Sequence, residues 1–553
     1  MPITMRMTAL VLSVTWLVAS SCRGRDASDG QSARSTVLTI ATPADADMLI
    51  PPLVTTTQGK QVVDLLFDVL AAPVAPIETV GDASFRPQLA AGWQWASDSL
   101  SIAFQIDPRA RWHDGRPVRA NDVRFSFSVY TDPVVASPHA GNFTGIDSVT
   151  VRDSLTAVAW WHARHPEQFY QLAYNLAILP EHLLRSVPRD SLAQSAFASH
   201  PIGSGRYRFE RWNRQHDLVI AADSANYRGV PSASRVVWIV AADPTAASLS
   251  VFSGQADILE SVRGDAFTQA RRTTNVRTVE YGSLDYGYML FNFERTVSGN
   301  KRLFAERALR VALTEALDRS AVVANALDSL GAVAIGPVTR AAATADTSMR
   351  QIGFDTAAAS RALNALGWTR RTTDGMRARG SNALRFNVLV PSSSATRQRI
   401  AVLLQEQYRR IGVDMQVVPL EPQLFGARLE RGDFDAALNM WRADPSPAGI
   451  RQVWGTARGR DIGANFGRYA NATFDAFVDS ASTAFNAAQR RAWYRSAYRT
   501  LVDDAAAIWL YEPRNFAAVS SRVQPTGMRA DAWWAALADW RVDNVVASTQ
   551  PAR

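Results

Sequence analysis

His113 and Asp114 stand side by side, and a histidine beside a carboxylate is the pairing here that could begin acid–base or nucleophilic chemistry. The partners of such chemistry do not follow. No Gly-x-Ser-x-Gly elbow presents a serine, and no His-Glu-x-x-His offers a metal-bound water. Adjacent His and Asp in a turn more often hydrogen-bond the loop that carries them. His162 and His165 have a metal-like spacing, but Pro166 follows directly and no third ligand is evident. Gly203-Ser204-Gly205 leads into Tyr207 and Phe209, a strand pattern, so it lacks the helix that a phosphate loop requires. The single cysteine, Cys22, excludes intrachain disulfides and cysteine-cluster metal sites. No cofactor and no catalytic residue are expected. Residues suited to binding remain. Sixteen tryptophans can supply aromatic walls, although most should pack the core. In Trp441-Arg442-Ala443-Asp444-Pro445 a guanidinium that could face a carboxylate adjoins an aspartate.

The elements that must position such residues are legible in places. Over 89–127, Ser97-Asp98-Ser99 is turn chemistry, and Ile102, Phe104 and Ile106 alternate as one buried face of a strand. Asp107-Pro108 ends that strand, and Asp114-Gly115 closes a tight turn where glycine can take positive φ. Asn121 and Asp122 then suit the first turn of a helix. Strands are expected at 37–41, 286–292 and 508–511, and helices at 58–70, 473–484 and 490–501. Residues 384–390 and 413–418 read as strands flanking a helix with Ile400, Leu403, Leu404 and Tyr408 on its apolar face. That is a β-α-β unit with parallel strands.

Composition sets the class. The apolar share is 47% and the charged share 20%, values of a soluble globular protein, and 553 residues leave room for three or four structural units. All of the 59 basic residues except Lys60 and Lys301 are arginine, scattered without a run of five or six. A net charge of +8 therefore comes without the basic stripe and module of a nucleic-acid binder. Residues 1–21 carry Arg6, an apolar run over 9–19 too short to span a bilayer, and the small residues Ala19-Ser20-Ser21 before Cys22. This resembles a bacterial lipobox, in which Cys22 is acylated and becomes the mature N-terminus; its acyl chains would anchor the protein to a membrane. Arg23, where an inner-membrane retention aspartate could have stood, leaves outer-membrane sorting open. The polar segment to residue 35 is expected to be a disordered tether.

The string Leu89 onward, with Trp93, Ser97-Asp98, Phe104 and Trp112-His113-Asp114-Gly115-x-Pro117-x-x-Ala120-x-Asp122-Val123, resembles the signature of the extracellular solute-binding proteins of family 5. These are the peptide, dipeptide, oligopeptide and nickel type that deliver ligands to ABC importers. Arg119 replaces the family's usual threonine helix cap, a loss of about 1 kcal/mol. Pro201-x-Gly203-x-Gly205-x-Tyr207, Asn226-Tyr227-Arg228-Gly229, Leu179-Pro180-Glu181-His182 and Leu317-Asp318-Arg319 also resemble family elements, in order, over about 36–545.

The resemblance implies a two-lobed, periplasmic-binding-protein-like α/β fold of the class II or cluster C type, with mixed sheets and an extra third domain. Lobe I is expected from 36–72, 196–290 and 508–548, domain II from 73–195, and lobe III from 291–507. The implied function is capture of peptides in the interlobe cleft and delivery to an ABC permease and ATPase complex by an exported, lipid-anchored monomer. In the family an aspartate after a tryptophan neutralises the peptide amine, which points to Trp441 and Asp444. Fewer residues separate them here than is usual, so Asp444 is read either as the amine anchor or as a turn cap. Arg442 would fit a ligand with a carboxylate, and Asn465 is a weaker cleft candidate. The alternatives are another solute on the same scaffold, such as an oligosaccharide, an opine or a metal chelate, and, more distantly, a secreted hydrolase using His113.

Overall fold

A computed structural model describes residues 36–74, 76–457 and 462–544. Cys22, the expected signal peptide and the expected tether lie outside the described residues.

Two large mixed sheets and one smaller antiparallel sheet organise the chain. The seven-stranded sheet runs, edge to edge, through Val276–Glu280, Phe516–Ser520, Ile258–Leu259, Val37–Thr42, Arg235–Val240, Asp217–Ala222 and Tyr207–Asn213. Its centre is the first strand, with Ile40 opposite Trp238 on one side and Ile258 on the other, both pairings parallel. The four-stranded sheet, Ala90–Trp95, Ser101–Ile106, Thr156–Trp161 and Ile146–Asp153, is wholly antiparallel and has its own core around Ile102, Phe104, Ile106, Trp112 and Phe169. The six-stranded sheet holds Gly331–Val333, Ala507–Pro513, Asp285–Phe291, Ala436–Arg442, Arg385–Pro391 and Asp414–Leu420. The expected β-α-β unit lies at its edge. Arg385 to Pro391 pair in parallel with Asp414 to Leu420, and the helix Ala395–Arg410 buries Ile400, Ala401, Leu404 and Tyr408.

Strand membership moves two boundaries. Asp285–Phe291 and Ala507–Pro513, all but one residue of each expected in lobe I, are hydrogen-bonded neighbours inside the six-stranded sheet that holds the strands expected of lobe III. The chain passes from the seven-stranded to the six-stranded sheet over 281–284, just before Asp285–Phe291, and returns over 514–515, just after Ala507–Pro513. The helix expected over 58–70 ends at Leu66, because Phe67 turns extended and Gly205 donates its backbone N–H to the Leu66 carbonyl at 2.8 Å. Without a threonine cap, the helix Ala120–Tyr130 is closed from its own first turn. The Asp122 carboxylate accepts from the Arg119 N–H at 2.8 Å and from the Glu181 N–H at 2.9 Å.

Candidate cleft site

The strand Ala436–Arg442 runs antiparallel to Asp285–Phe291, which sets Trp441 opposite Tyr286 and Arg442 opposite Asp285. One further backbone bond, Ala443 N–H to the Leu284 carbonyl at 3.1 Å, carries the pairing past the strand end. Along 440–444 the exposed residues are Met440, Arg442 and Asp444, while Trp441 and Ala443 are half-buried. That is the period of two expected of an extended chain with one open side. Pro445 then removes a ladder donor, and the Ser446 hydroxyl caps the following short helix by accepting from the Ala448 N–H at 3.3 Å. Two side chains of opposite charge are thereby left on the open side, two residues apart.

Ser446 fixes the segment to domain II. Its hydroxyl lies 2.8 Å from both carboxylate oxygens of Glu167. Glu167 is buried and ion-paired with the equally buried Arg490 at 2.8 Å, and it accepts from the Thr79 hydroxyl at 2.5 Å. Arg491 pairs with Glu78 at 2.6 Å, and the Arg164 guanidinium lies 4.6 Å above the Phe485 ring. These contacts tie domain II directly to lobe III. Domain II is also tied to lobe I. Asp68, fully buried, accepts from the Gln88 amide at 3.2 Å and its carbonyl accepts from the Ile178 N–H at 2.9 Å, both from residues 73–195, while within its own lobe it is paired with Arg228 and accepts from Ser204 at 3.1 Å and Tyr227 at 3.0 Å.

Asp444 is open to solvent but flanked by enough protein that desolvation raises its carboxyl above the ordinary aspartate value, with the Arg442 charge pulling the other way. The wall facing it comes from domain II. Tyr170 stacks on Tyr174 with ring centroids 5.6 Å apart, and its hydroxyl is pushed well up by burial first, then by Tyr174 and Asp444. Tyr174 donates to Asp531 at 3.1 Å, and Arg529 is paired with the same carboxylate at 2.9 Å. Lobe I adds Glu260, which accepts from Trp533 Nε1 at 3.0 Å and from the Gln61 amide. Burial raises the Glu260 carboxyl, and the cation that opposes this is again Arg442. Arg442 thus sits in the field of acids from both lobes. Asp444 and Arg442 present an exposed carboxylate and an exposed guanidinium on the same side of one extended segment.

The other candidates go elsewhere. Asn465 is 1% exposed, and its amide donates to the Gly455 and Tyr469 carbonyls at 2.9 and 2.8 Å and accepts from the Tyr469 N–H at 3.0 Å. It ties Gly455 to Tyr469 and has no surface to offer a ligand. His113 and Asp114 turn to separate partners. His113 Nε2 lies 3.0 Å from the Gly205 carbonyl, His113 Nδ1 accepts from the Gly203 N–H at 3.1 Å, and Asp114 meets His182 at 2.7 Å. His162 pairs with Asp147 at 2.7 Å. The two glycines of Gly203-Ser204-Gly205 make room for backbone: a Cβ at Gly203 would fall 1.8 Å from the Leu66 carbonyl oxygen, and one at Gly205 would fall 2.3 Å from the Leu65 carbonyl oxygen. Trp112, Trp368, Trp454, Trp509 and Trp540 fill cores. The linking groups Glu167, Arg490, Asp68 and Glu260 carry no local signal in sequence, since their partners lie tens to hundreds of residues away.

Residues 84–459 match the family described as "Bacterial extracellular solute-binding proteins, family 5 Middle". The chain belongs to this family. Its members bind solutes and are not enzymes, and the family is an exported one. Oligopeptide-binding protein AppA of Bacillus subtilis (strain 168) is 24% identical over 430 residues, covering 77% of this chain and 78% of that protein. The probable D,D-dipeptide-binding periplasmic protein DdpA of Escherichia coli (strain K12) is 22% identical, over 80% of this chain and 82% of that one. Among solved structures, the substrate-binding protein CtaP of Listeria monocytogenes superposes with a TM-score of 0.79 at 20% identity, covering 92% of this chain and 100% of that one. NikZ of Campylobacter jejuni in complex with Ni(L-His) gives 0.73 at 22% identity, over 91% and 99%. The fold is that of the two-lobed periplasmic binding proteins.

Proposed function

We infer that this family member is the solute-binding component of an ABC importer, and that it captures peptides in the interlobe cleft and hands them to a membrane permease and its ATPase. The observation that carries the reading is Asp444: a solvent-open carboxylate, with no side-chain hydrogen bond or ion pair among the described residues, at the end of a cleft strand. An ammonium group suits it, and extended backbone can lie along the cleft in the manner of an added strand. The relatives named as oligopeptide- and dipeptide-binding proteins support the same ligand class. Trp441 supplies part of the wall, and hinge closure would bury the ligand. The protein acts as a monomer, anchored through acylated Cys22 at the cell envelope.

Native mass spectrometry of the purified mature protein tests the ligand class. Peptide masses released on activation are the expected result. A co-purified oligosaccharide, opine or metal chelate would overturn the peptide reading while leaving the family scaffold intact.

A further inference from the structure

Arg442 is an exposed guanidinium on the cleft floor, and among the described residues it has no ion pair and no side-chain hydrogen bond. Other arginines of the described residues are held by acids. Arg529 is held by Asp531, Arg490 by Glu167, Arg340 by Glu512 and Arg514 by Glu280. Asp285 stands opposite Arg442 in the strand register, at a position where a cross-strand ion pair would ordinarily form, and does not pair with it. Arg442 and Asp444 are two residues apart on the open side of an extended segment, hence about 7 Å apart at their Cα atoms. The segment is pinned at both ends, by Ala443 N–H on Leu284 and by Ser446 on Glu167, so this spacing is built into the floor.

We propose that Arg442 is a specificity-determining residue that selects peptides with an acidic side chain at the first or second position, beside the amine held by Asp444. The proposal rests on the peptide reading above and adds to it. An aspartate or glutamate in either of those positions places a carboxylate within about 7 Å of the terminal amine, matching the two open charges. Arginine is suited to the task, because its planar fork meets a carboxylate with two parallel hydrogen bonds. With Arg442 removed, no cation is left beside Asp444 on that side of the segment, and an acidic side chain loses its partner.

Calorimetry with C-terminally amidated tripeptides tests this, since amidation removes the terminal carboxylate as a competing source of the same charge. The panel is Glu-Ala-Ala, Ala-Glu-Ala and Ala-Ala-Ala, against the full mature protein and its Arg442→Ala and Arg442→Lys variants. The wild type should bind one of the two acidic peptides at least about tenfold more tightly than Ala-Ala-Ala, the scale of one charge-assisted pair. In Arg442→Ala that ratio should fall to one or below, with Arg442→Lys between. Binding of all three peptides with equal affinity, or a ratio unmoved by Arg442→Ala, would each overturn the assignment while leaving peptide binding in place. Binding of none overturns the peptide reading and this proposal together.

Discussion

His113 accepts at Nδ1 from the Gly203 N–H, so its proton sits on Nε2 and is donated to the Gly205 carbonyl. Only the neutral ring can do both. Burial lowers its pKa from the ordinary 6.5, outweighing the Gly205 carbonyl, which works the other way. The unfolded chain therefore binds a proton that the folded chain refuses in the window below 6.5. The His113 contribution is present above pH 6.5 and is lost as pH falls from there toward the depressed folded value. Thermal unfolding from pH 8 to 5 should show stability declining below about 6.5. Replacing His113 by Ala should cost about 1–3 kcal/mol, because the Gly203 N–H is orphaned, and should flatten that part of the profile. A variant with the same slope as the wild type would show that another group titrates there. At this scale the sequence was informative about residue type and silent about partners. His113-Asp114 looks like a dyad only until the Gly203 backbone, 90 residues away, is seen to claim the imidazole.

At the scale of elements, local pattern was enough wherever a segment's neighbours are close in sequence. The alternation Ile102, Phe104, Ile106 gave a strand whose three residues are fully or almost fully buried, and the run 384–418 gave a parallel β-α-β unit in register. Gly115 takes φ +87°, as its place in a tight turn requires. Pattern failed at the ends of elements that long-range contacts decide. The first helix ends four residues short of the expected Leu70 because Gly205, far along the chain, caps its last carbonyl. Strands Asp285–Phe291 and Ala507–Pro513 join lobe III because their hydrogen-bonding partners are each other and Ala436–Arg442, pairings that no local periodicity encodes. The cleft segment shows both cases. Its Trp-Arg-Ala-Asp-Pro order stands at a strand end with Arg442 and Asp444 exposed, whereas Asn465, 21 residues on, has its amide bound to Gly455 and Tyr469.

At the scale of the molecule, residues 73–195, the expected domain II, are bound to Asp68 through Gln88 and Ile178, to Gly203 and Gly205 through His113, and to Arg490 and Ser446 through Glu167. A hinge rotation that withdraws lobe III must break the bonds of Glu167 to Arg490 and Ser446, so this buried pair belongs to the state in which the two bodies touch. Removing one partner leaves a buried charge without its counter-ion. Arg490→Met should cost about 3–5 kcal/mol, whereas Arg490→Met combined with Glu167→Leu should recover much of the loss. Differential scanning calorimetry of the two variants decides this. A single variant as stable as the wild type would mean that the Glu167–Arg490 pair contributes nothing to stability.

The central claim is that Asp444 in the cleft holds the free amine of a peptide. Isothermal titration of Ala-Ala-Ala and its N-acetylated form against the wild type and Asp444→Ala addresses it most directly. The wild type should bind the free amine at least about tenfold more tightly than the acetylated form, and Asp444→Ala should lose most of that difference. Equal affinity of the wild type and Asp444→Ala for the free-amine peptide would contradict the claim and remove Asp444 from the site.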